Sequence, residues 1–558
     1  MKILSIVLVF SINLCFAQTE NSDVNNIFNN IIKAIGNNSK LQPGLEIKPD
    51  GNKMAYLSPK ANTIYIDQKA IDICNSFDKN EANGLAFLLG HELTHHYMGH
   101  SWISKDDRKD YKGFSFMENI RYFNKDSTRR LEMESQADLK GGFSAFLAGY
   151  DALTIAPDLL DTLYERYELS KKSTGYPSLD ERKGMCLQQI EKLDRLKSIF
   201  NASTYALNAG YYKGAQEGFT KIISEGFNSR EIYNNLALAY LLDALKKMDN
   251  KNILGYPFEF DAQSRLNDVS TRAISNYDNA SKIKMLIEKG ILLFNQALKL
   301  DSKYQTAQLN ICCAYSLLAE LYAEDDIEKN KYLSEANKSL HQFELMLANK
   351  YAPEDEELRN KYEKKPQKTL AKYNNKEITS HYIISAILIN QNGEKSDSNK
   401  AKKLLLKASK LKSTLANINL AKLNGTLNKE SKPTKPSSNE IIDGFKPASL
   451  MAGFSDFPKP FDTYRLNDCK LYVKKFENST AYLFKSREKF FIHTTKTQST
   501  SAGLKINNNI KLIESKYNEY PITIKGTIEN FYHLDNNNLL FLEKDNKISG
   551  WATYQTND

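Results

Sequence analysis

Cysteine is scarce in this chain: six residues in 558, and no two of them form a CxxC pair. Cys74, Cys186, Cys312, Cys313 and Cys469 are scattered through the body, and Cys15 sits in an apolar leader. An odd, dispersed set of five excludes a disulfide framework and a cysteine-based metal site. Any metal must therefore be held by histidine and carboxylate. Long apolar runs are also missing. Beyond residue 17 no stretch approaches the roughly 18 consecutive apolar residues that a membrane-spanning helix needs, so no transmembrane segment is expected in the mature chain. A strong charge bias is absent too, because a net charge of +9 is mild for this length. The lysines of Lys400–Lys412 alternate with leucines and read as a solvated helix face, so no nucleic-acid partner is expected.

What is present begins at the N-terminus. Lys2, the apolar run Ile3–Phe10 and the small Ala17 before Gln18 read as a secretory signal over residues 1–17. Lys2 is the only charged side chain among these residues, so its removal takes the charge from +9 to +8. Acylation at Cys15 is the weaker alternative, because Leu14 stands where a small residue is expected. An exported protein, periplasmic or secreted, follows as the expectation.

The length implies roughly two to four domains. Residues 22–195 read as a catalytic unit, with a helical start at Val24–Ile35 and extended pieces at Lys53–Leu57 and Thr63–Asp67. A helix runs from about Glu81 through His95, and another covers Ser127–Ala148, which Gly149 can end. Residues 200–425 carry paired amphipathic helices. Phe219–Tyr240 and Phe294–Tyr315 align without a gap, at an offset of 75 residues. Ala297-Leu298-Lys299-Leu300-Asp301, followed by Tyr304 and Ala307, resembles the junction of two tetratricopeptide repeats. The offset fits two repeats plus an insertion within Asp249–Asn279, and a generic helical bundle is the alternative. Lys331–Ala348 and Lys400–Leu423 are further helix candidates. Residues 426–446 read as a linker. Residues 447–558 read as a small strand-rich domain of no recognisable chemistry, with strands at Lys470–Lys475, Thr480–Lys485, Lys489–Thr494 and Asn538–Glu543 and a helix near Ile510–Tyr517.

Half of the eight histidines fall in ten residues, His91-Glu92-Leu93-Thr94-His95-His96-Tyr97-Met98-Gly99-His100. On a helix, positions i and i+4 share a face, so His91 and His95 can turn two imidazoles toward one ion. Glu92, one residue on, can reach a water beside that ion as general base. This is the HExxH pattern of zinc proteases. The apolar run Leu85, Leu88, Leu89 favours it over two polar residues on a solvated helix. A catalytic zinc takes a third protein ligand. The metzincin arrangement is excluded, because Met98 and Ser101 stand where glycine and histidine belong. Glu134 and Glu132 both remain open by position. Asp138 shares a face with Glu134 and is suited to accept the second ring N–H of a ligand histidine.

The order His91, His95, then Glu134-x-x-Ala137-Asp138, then Gly142 and Ala148-Gly149-Tyr150-Asp151, resembles the HtpX and CAAX prenyl endopeptidase family of gluzincins over roughly residues 40–195. The resemblance implies that Glu134 is the third zinc ligand. It also implies a mainly α, zincin-type metallopeptidase domain with a small sheet. With helical repeats and no membrane span, the chain is similar to the soluble periplasmic, BepA-like members, which implies protein or peptide substrates and a role in envelope protein quality control. An envelope partner would then dock on the repeats. A chaperone that binds clients through those repeats, with little proteolysis, is the rival expectation. Many members carry His-Pro after the core, whereas this chain has Tyr176-Pro177. Tyr176 is thus a candidate oxyanion donor as well as a structural tyrosine. The fold expectation is a multidomain chain: metallopeptidase unit, helical repeat array and C-terminal strand-rich α+β domain. By analogy with that fold, Thr63–Asp67 is the strand expected to offer an edge to substrate.

Overall fold

The structure is a computed structural model. It describes residues 24–33, 35, 41–49, 54–77, 80–98, 127–169, 178–225, 227, 229–248, 253–260, 279–351, 378–393, 395–426, 440–453, 462–486, 489–517, 519, 521–526 and 530–556. They fall in two compact units, divided between Lys197 and Ser198 within the helix Leu179–Asn208.

In the first unit, strands β1 (Gly44–Lys48), β2 (Ala55–Ser58) and β3 (Thr63–Asp67) form a mixed sheet of order β1-β3-β2. β3 is β-branched and aromatic, and its position in the middle leaves β1 and β2 as the edges. The expected substrate edge at Thr63–Asp67 is therefore corrected: both sides of that strand are paired. Asp67 ends β3 and caps the helix Gln68–Asn75, its carboxylate accepting from the Lys69 amide at 3.2 Å.

Two longer helices follow. The histidine helix, Glu81–Met98, is buried nearly all round from Gly84 to His95, which marks it as the core helix of the unit. The carboxylate helix, Ser127–Leu147, ends near Gly149, whose φ of +97° lies in the region that favours glycine. The two helices cross at a glycine pair. A Cβ on Gly90 would meet the Gly141 carbonyl oxygen at 2.7 Å, and one on Gly141 would meet the Gly90 carbonyl carbon at 2.6 Å. Only hydrogen fits between the backbones there.

The second unit holds both the helical region and the strand-rich region, so these two sequence segments share one compact body. Phe219 and Phe294 lie in the helices Tyr212–Ser224 and Asn279–Leu300, and Tyr240 and Tyr315 in Arg230–Lys247 and Gln305–Leu321. The capping positions Ser229 and Tyr304 also differ by the 75-residue offset seen in the sequence. The aligned segments are thus equivalent helical hairpins. The single helix expected over Lys400–Leu423 is instead two, Lys395–Lys410 and Thr414–Asn424. Lys412 adopts φ +65°, and the Ser413 hydroxyl caps the second helix by accepting from the Ala416 amide at 3.2 Å. Lys400, Lys403, Lys407 and Lys410 lie exposed on one face, while Ala401, Leu405 and Ala408 are buried.

The strands of this unit are β4 (Glu259–Phe260), β5 (Asp462–Arg465), β6 (Lys470–Lys475), β7 (Ser479–Lys485), β8 (Lys489–Thr495), β9 (Ile522–Gly526), β10 (Asn530–Leu534), β11 (Leu539–Lys544) and β12 (Lys547–Thr556). They form one sheet, β4-β9-β10-β11-β12-β8-β7-β6-β5, antiparallel except where β4 meets β9. Its central strands are covered on both faces, which is why β7 and β8 read as apolar runs rather than alternations. Tyr482 and Phe484 turn toward Tyr205 and Tyr211, while Ala481 and Leu483 pack with Leu450 and Phe491. The linker expectation extends too far. Residues 427–439 lie outside the described residues, but Glu440 is buried and its carboxylate accepts from Ser501 and Tyr517.

All five described cysteines are free and buried, and burial pushes their thiols up, to about 12 for Cys186 and Cys469.

The glycine crossing gives a test of opposite signs. Gly141→Ala is expected to destabilise the first unit by about 1–3 kcal/mol through overpacking. Gly184→Ala, in a helix where an added Cβ meets nothing within 4 Å, is expected to be neutral or to stabilise by up to about 1 kcal/mol. Thermal or denaturant unfolding reads both, and equal effects would contradict the crossing.

Candidate metal centre

Glu134, Asp138 and Gly141 follow one another at helical spacing, so they form one stripe on the carboxylate helix. The glycine lets that stripe approach the histidine helix, and the two residues before it meet His91. Three side chains converge. His91 Nε2 lies 3.0 Å from His95 Nε2 and 3.2 Å from Glu134 Oε2, and His95 Nε2 lies 3.7 Å from Glu134 Oε1. A tetrahedral zinc with bonds of about 2.0–2.1 Å would hold its ligand atoms about 3.3 Å apart; the two imidazole nitrogens, and the Glu134 oxygen given for each, lie near that separation, so this donor set fits such an ion. All three residues are buried and form the one metal-capable group among the described residues.

The surroundings fix the ligands. Asp138 Oδ1 lies 2.7 Å from His91 Nδ1, so a ring N–H there donates to the carboxylate and Nε2 is left for the ion. Arg182, buried to 1% exposure, brings its guanidinium to 3.6 Å from the other Asp138 oxygen. No role for Arg182 emerges from sequence spacing, because a lone arginine at a helix start carries no periodic signal. His96, which follows His95 directly, lies instead 3.1 Å from the Leu41 carbonyl oxygen.

Electrostatics in this pocket are dominated by burial and by opposed charges. Burial alone would lower the His91 pKa, but the Asp138 and Glu134 carboxylates overcome it and hold the imidazole at about 10. Glu134 is buried as well, yet His95, His91 and Arg182 hold its carboxyl far below the usual range. Glu92 behaves differently. Burial raises it to about 7, against a smaller opposing pull from His91, and its Oε2 accepts from the Leu57 amide at 3.1 Å. That amide belongs to β2, so the edge strand beside Glu92 is β2.

The structure therefore brings together His91, Glu92, His95, Glu134 and Asp138. Tyr176 lies outside the described residues, as does the side chain of Glu132. No protein-family profile matches this chain, and no curated protein matches it. Among the described residues, no helix is long and apolar enough to cross a membrane.

The donor set predicts tight retention of one divalent ion. Glu134→Ala should lose it, Asp138→Asn should weaken it by about 10- to 100-fold, and Glu132→Ala should match wild type in elemental analysis. Exchanged behaviour of Glu134 and Glu132 would reassign the third ligand.

The sign of the pH dependence follows from His91. Its folded value of about 10 lies above the ordinary 6.5. Its proton thus stabilises the metal-free chain fully below pH 6.5, and that contribution is lost as pH rises through about 10. An incoming cation displaces this proton, so near pH 8 metal uptake should release close to one proton and affinity should fall as pH falls. Calorimetry in buffers of different ionisation enthalpy measures the release, and its absence would refute the assignment.

Proposed function

We propose that this chain is an exported, zinc-dependent endopeptidase of the gluzincin type. The observation that carries the reading is the buried convergence of His91, His95 and Glu134, with the Glu92 carboxylate beside them. Two imidazoles and one carboxylate suit zinc, which is borderline-soft and accepts mixed nitrogen and oxygen donors. The family resemblance of the HExxH and Glu-x-x-Ala-Asp segments supports the same choice, and the apolar leader at residues 1–17 supports export.

When bound, zinc supplies Lewis acidity, acidifying a water and polarising a carbonyl oxygen. The chain's own residues do the rest. Asp138 holds the His91 ring in one tautomer, with Nε2 turned to the ion. Glu92, with a pKa of about 7, accepts the proton of the attacking water and returns it to the leaving amine nitrogen. The Leu57 amide holds that carboxylate in place at 3.1 Å. An extended substrate pairs along β2, an edge strand among the described residues, through main-chain hydrogen bonds other than that of the Leu57 amide, which selects for unfolded or unpaired segments rather than for a side-chain sequence. Such selectivity suits protein quality control in the cell envelope.

The test is Glu92→Gln in the full chain, assayed on casein and on a misassembled envelope protein with metal content measured alongside. Glutamine is nearly isosteric and cannot take up the proton, so cleavage should slow by at least about 10²-fold while the ion is retained. In wild type the acid limb of kcat/KM should lie at or below about pH 7, because a nearby cation can only lower the Glu92 value. Equal cleavage by both forms would reject Glu92 as base. If wild type cleaves neither protein and Glu92→Gln complements a deletion strain fully, the chaperone reading replaces this one.

A further inference from the structure

The insertion between the helices Arg230–Lys247 and Asn279–Leu300 contains a short segment, Ile253–Phe260, whose path is extended rather than helical. Its main chain is held by side chains from the helices, and its last two residues, β4, also pair with β9 of the sheet. Asn419 accepts from the Gly255 amide at 2.7 Å and donates to the Gly255 carbonyl at 2.9 Å. Asn310 does the same to Glu259, accepting at 3.0 Å and donating at 2.6 Å, and Asn234 donates to that carbonyl at 3.2 Å. Lys422 donates to the Ile253 carbonyl at 2.7 Å. Asn419 and Asn310 each read one residue's N–H and C=O together, which is recognition of a backbone, independent of side-chain identity.

These asparagines are a costly choice for a core. Asn234, Asn310 and Asn419 are each 0% exposed and sit within helices, where asparagine is a weak former and an unsatisfied amide would cost several kcal/mol. Packing alone would favour apolar residues there. Their hydrogen bonds to the segment supply the reason for their presence.

Side-chain positions add selectivity. Ile253, Leu254, Tyr256 and Phe260 are buried, and the Tyr256 hydroxyl lies 3.2 Å from Ser316 Oγ and accepts from Gln391 at 3.3 Å. A Cβ on Gly255 would come within 2.5 Å of Leu415, so the backbone passes too close there for a side chain. The Glu259 carboxylate accepts from Ser380 at 2.9 Å. The contacts come from the helices Arg230–Lys247, Gln305–Leu321, Ile378–Gln391 and Thr414–Asn424, so they span the array.

We propose that these helices, together with the edge of β9, form a peptide-binding groove, occupied in the free chain by Ile253–Phe260 as a tethered internal ligand. A protein partner engages this face by presenting an extended segment of the same kind: paired apolar residues, glycine, then aromatic residues flanking an acidic one. The proposal is independent of the metal centre.

The test replaces residues 249–262 of the full chain by a Gly-Ser segment of equal length. The probe is a fluorescent synthetic peptide spanning residues 251–262. The replaced chain should keep its helical circular dichroism and bind the probe saturably, one per chain. Asn310→Ala and Asn419→Ala in that background should each weaken binding about tenfold or more. The intact chain should bind the probe at least about 100-fold more weakly, because the tether holds its own segment at an effective concentration of about millimolar. In the intact chain, Gly255→Val should admit the probe by dislodging the segment from Leu415. A replaced chain that fails to fold would show the segment to be core and overturn the proposal. So would a folded replaced chain that ignores the probe, or binding that survives both asparagine changes.

Discussion

The first unit depends on one close approach, the backbone contact of Gly90 with Gly141. Helices that cross through ordinary side chains keep their axes about 8–10 Å apart. Here the Cβ atoms are missing at the crossing, and the next residues inherit the proximity. His91 follows Gly90 directly, and Asp138 and Glu134 lie one and two turns before Gly141. Donor distances of 3.2 and 3.7 Å between the histidines and Glu134, on different helices, are thus set by two residues that bring no chemistry of their own.

That proximity gathers charge in a dry place. His91, Glu92, Glu134, Asp138 and Arg182 are all below 5% exposed. Burying charged groups costs several kcal/mol each unless they are paired. In the metal-free chain a proton on His91 and the Arg182 guanidinium balance the carboxylates, and a divalent ion would take over the first of these roles. The elevated imidazole and the elevated Glu92 carboxyl have different origins: the Asp138 and Glu134 carboxylates raise the first against burial, and burial itself raises the second.

The sequence made the helical part of this site legible, because HExxH and Glu-x-x-Ala-Asp place their residues by the local i, i+4 rule. Spacing did not distinguish Glu134 from Glu132; the family resemblance did, and the structure brings Glu134 to the histidines. Non-local features stayed hidden. The β-branched pattern of Thr63–Asp67 announced a strand but said nothing of its place between β1 and β2, since pairing order leaves no local trace. Gly44–Lys48 is half exposed and mixed in pattern, so it carries no clear strand signal. β12 is masked in the same way, where Gly550 interrupts a strand. The apolar Ile253–Phe260 gives no readable signal inside a polar insertion, because most of its partners lie on helices 51 or more residues further on. Arg182 has meaning only through its distance to Asp138.

The buried thiols carry a consequence for watching this molecule move. A thiol reacts as thiolate and only where a reagent can reach it, and here burial suppresses both. Labelling therefore waits for the surrounding structure to open, so its rate is a clock for that opening. Cys74 and Cys186 keep time for the first unit, while Cys312, Cys313 and Cys469 keep it for the second. One chain thus carries two independent sets of silent reporters, and mass spectrometry of the labelled sites can tell which body loosens first.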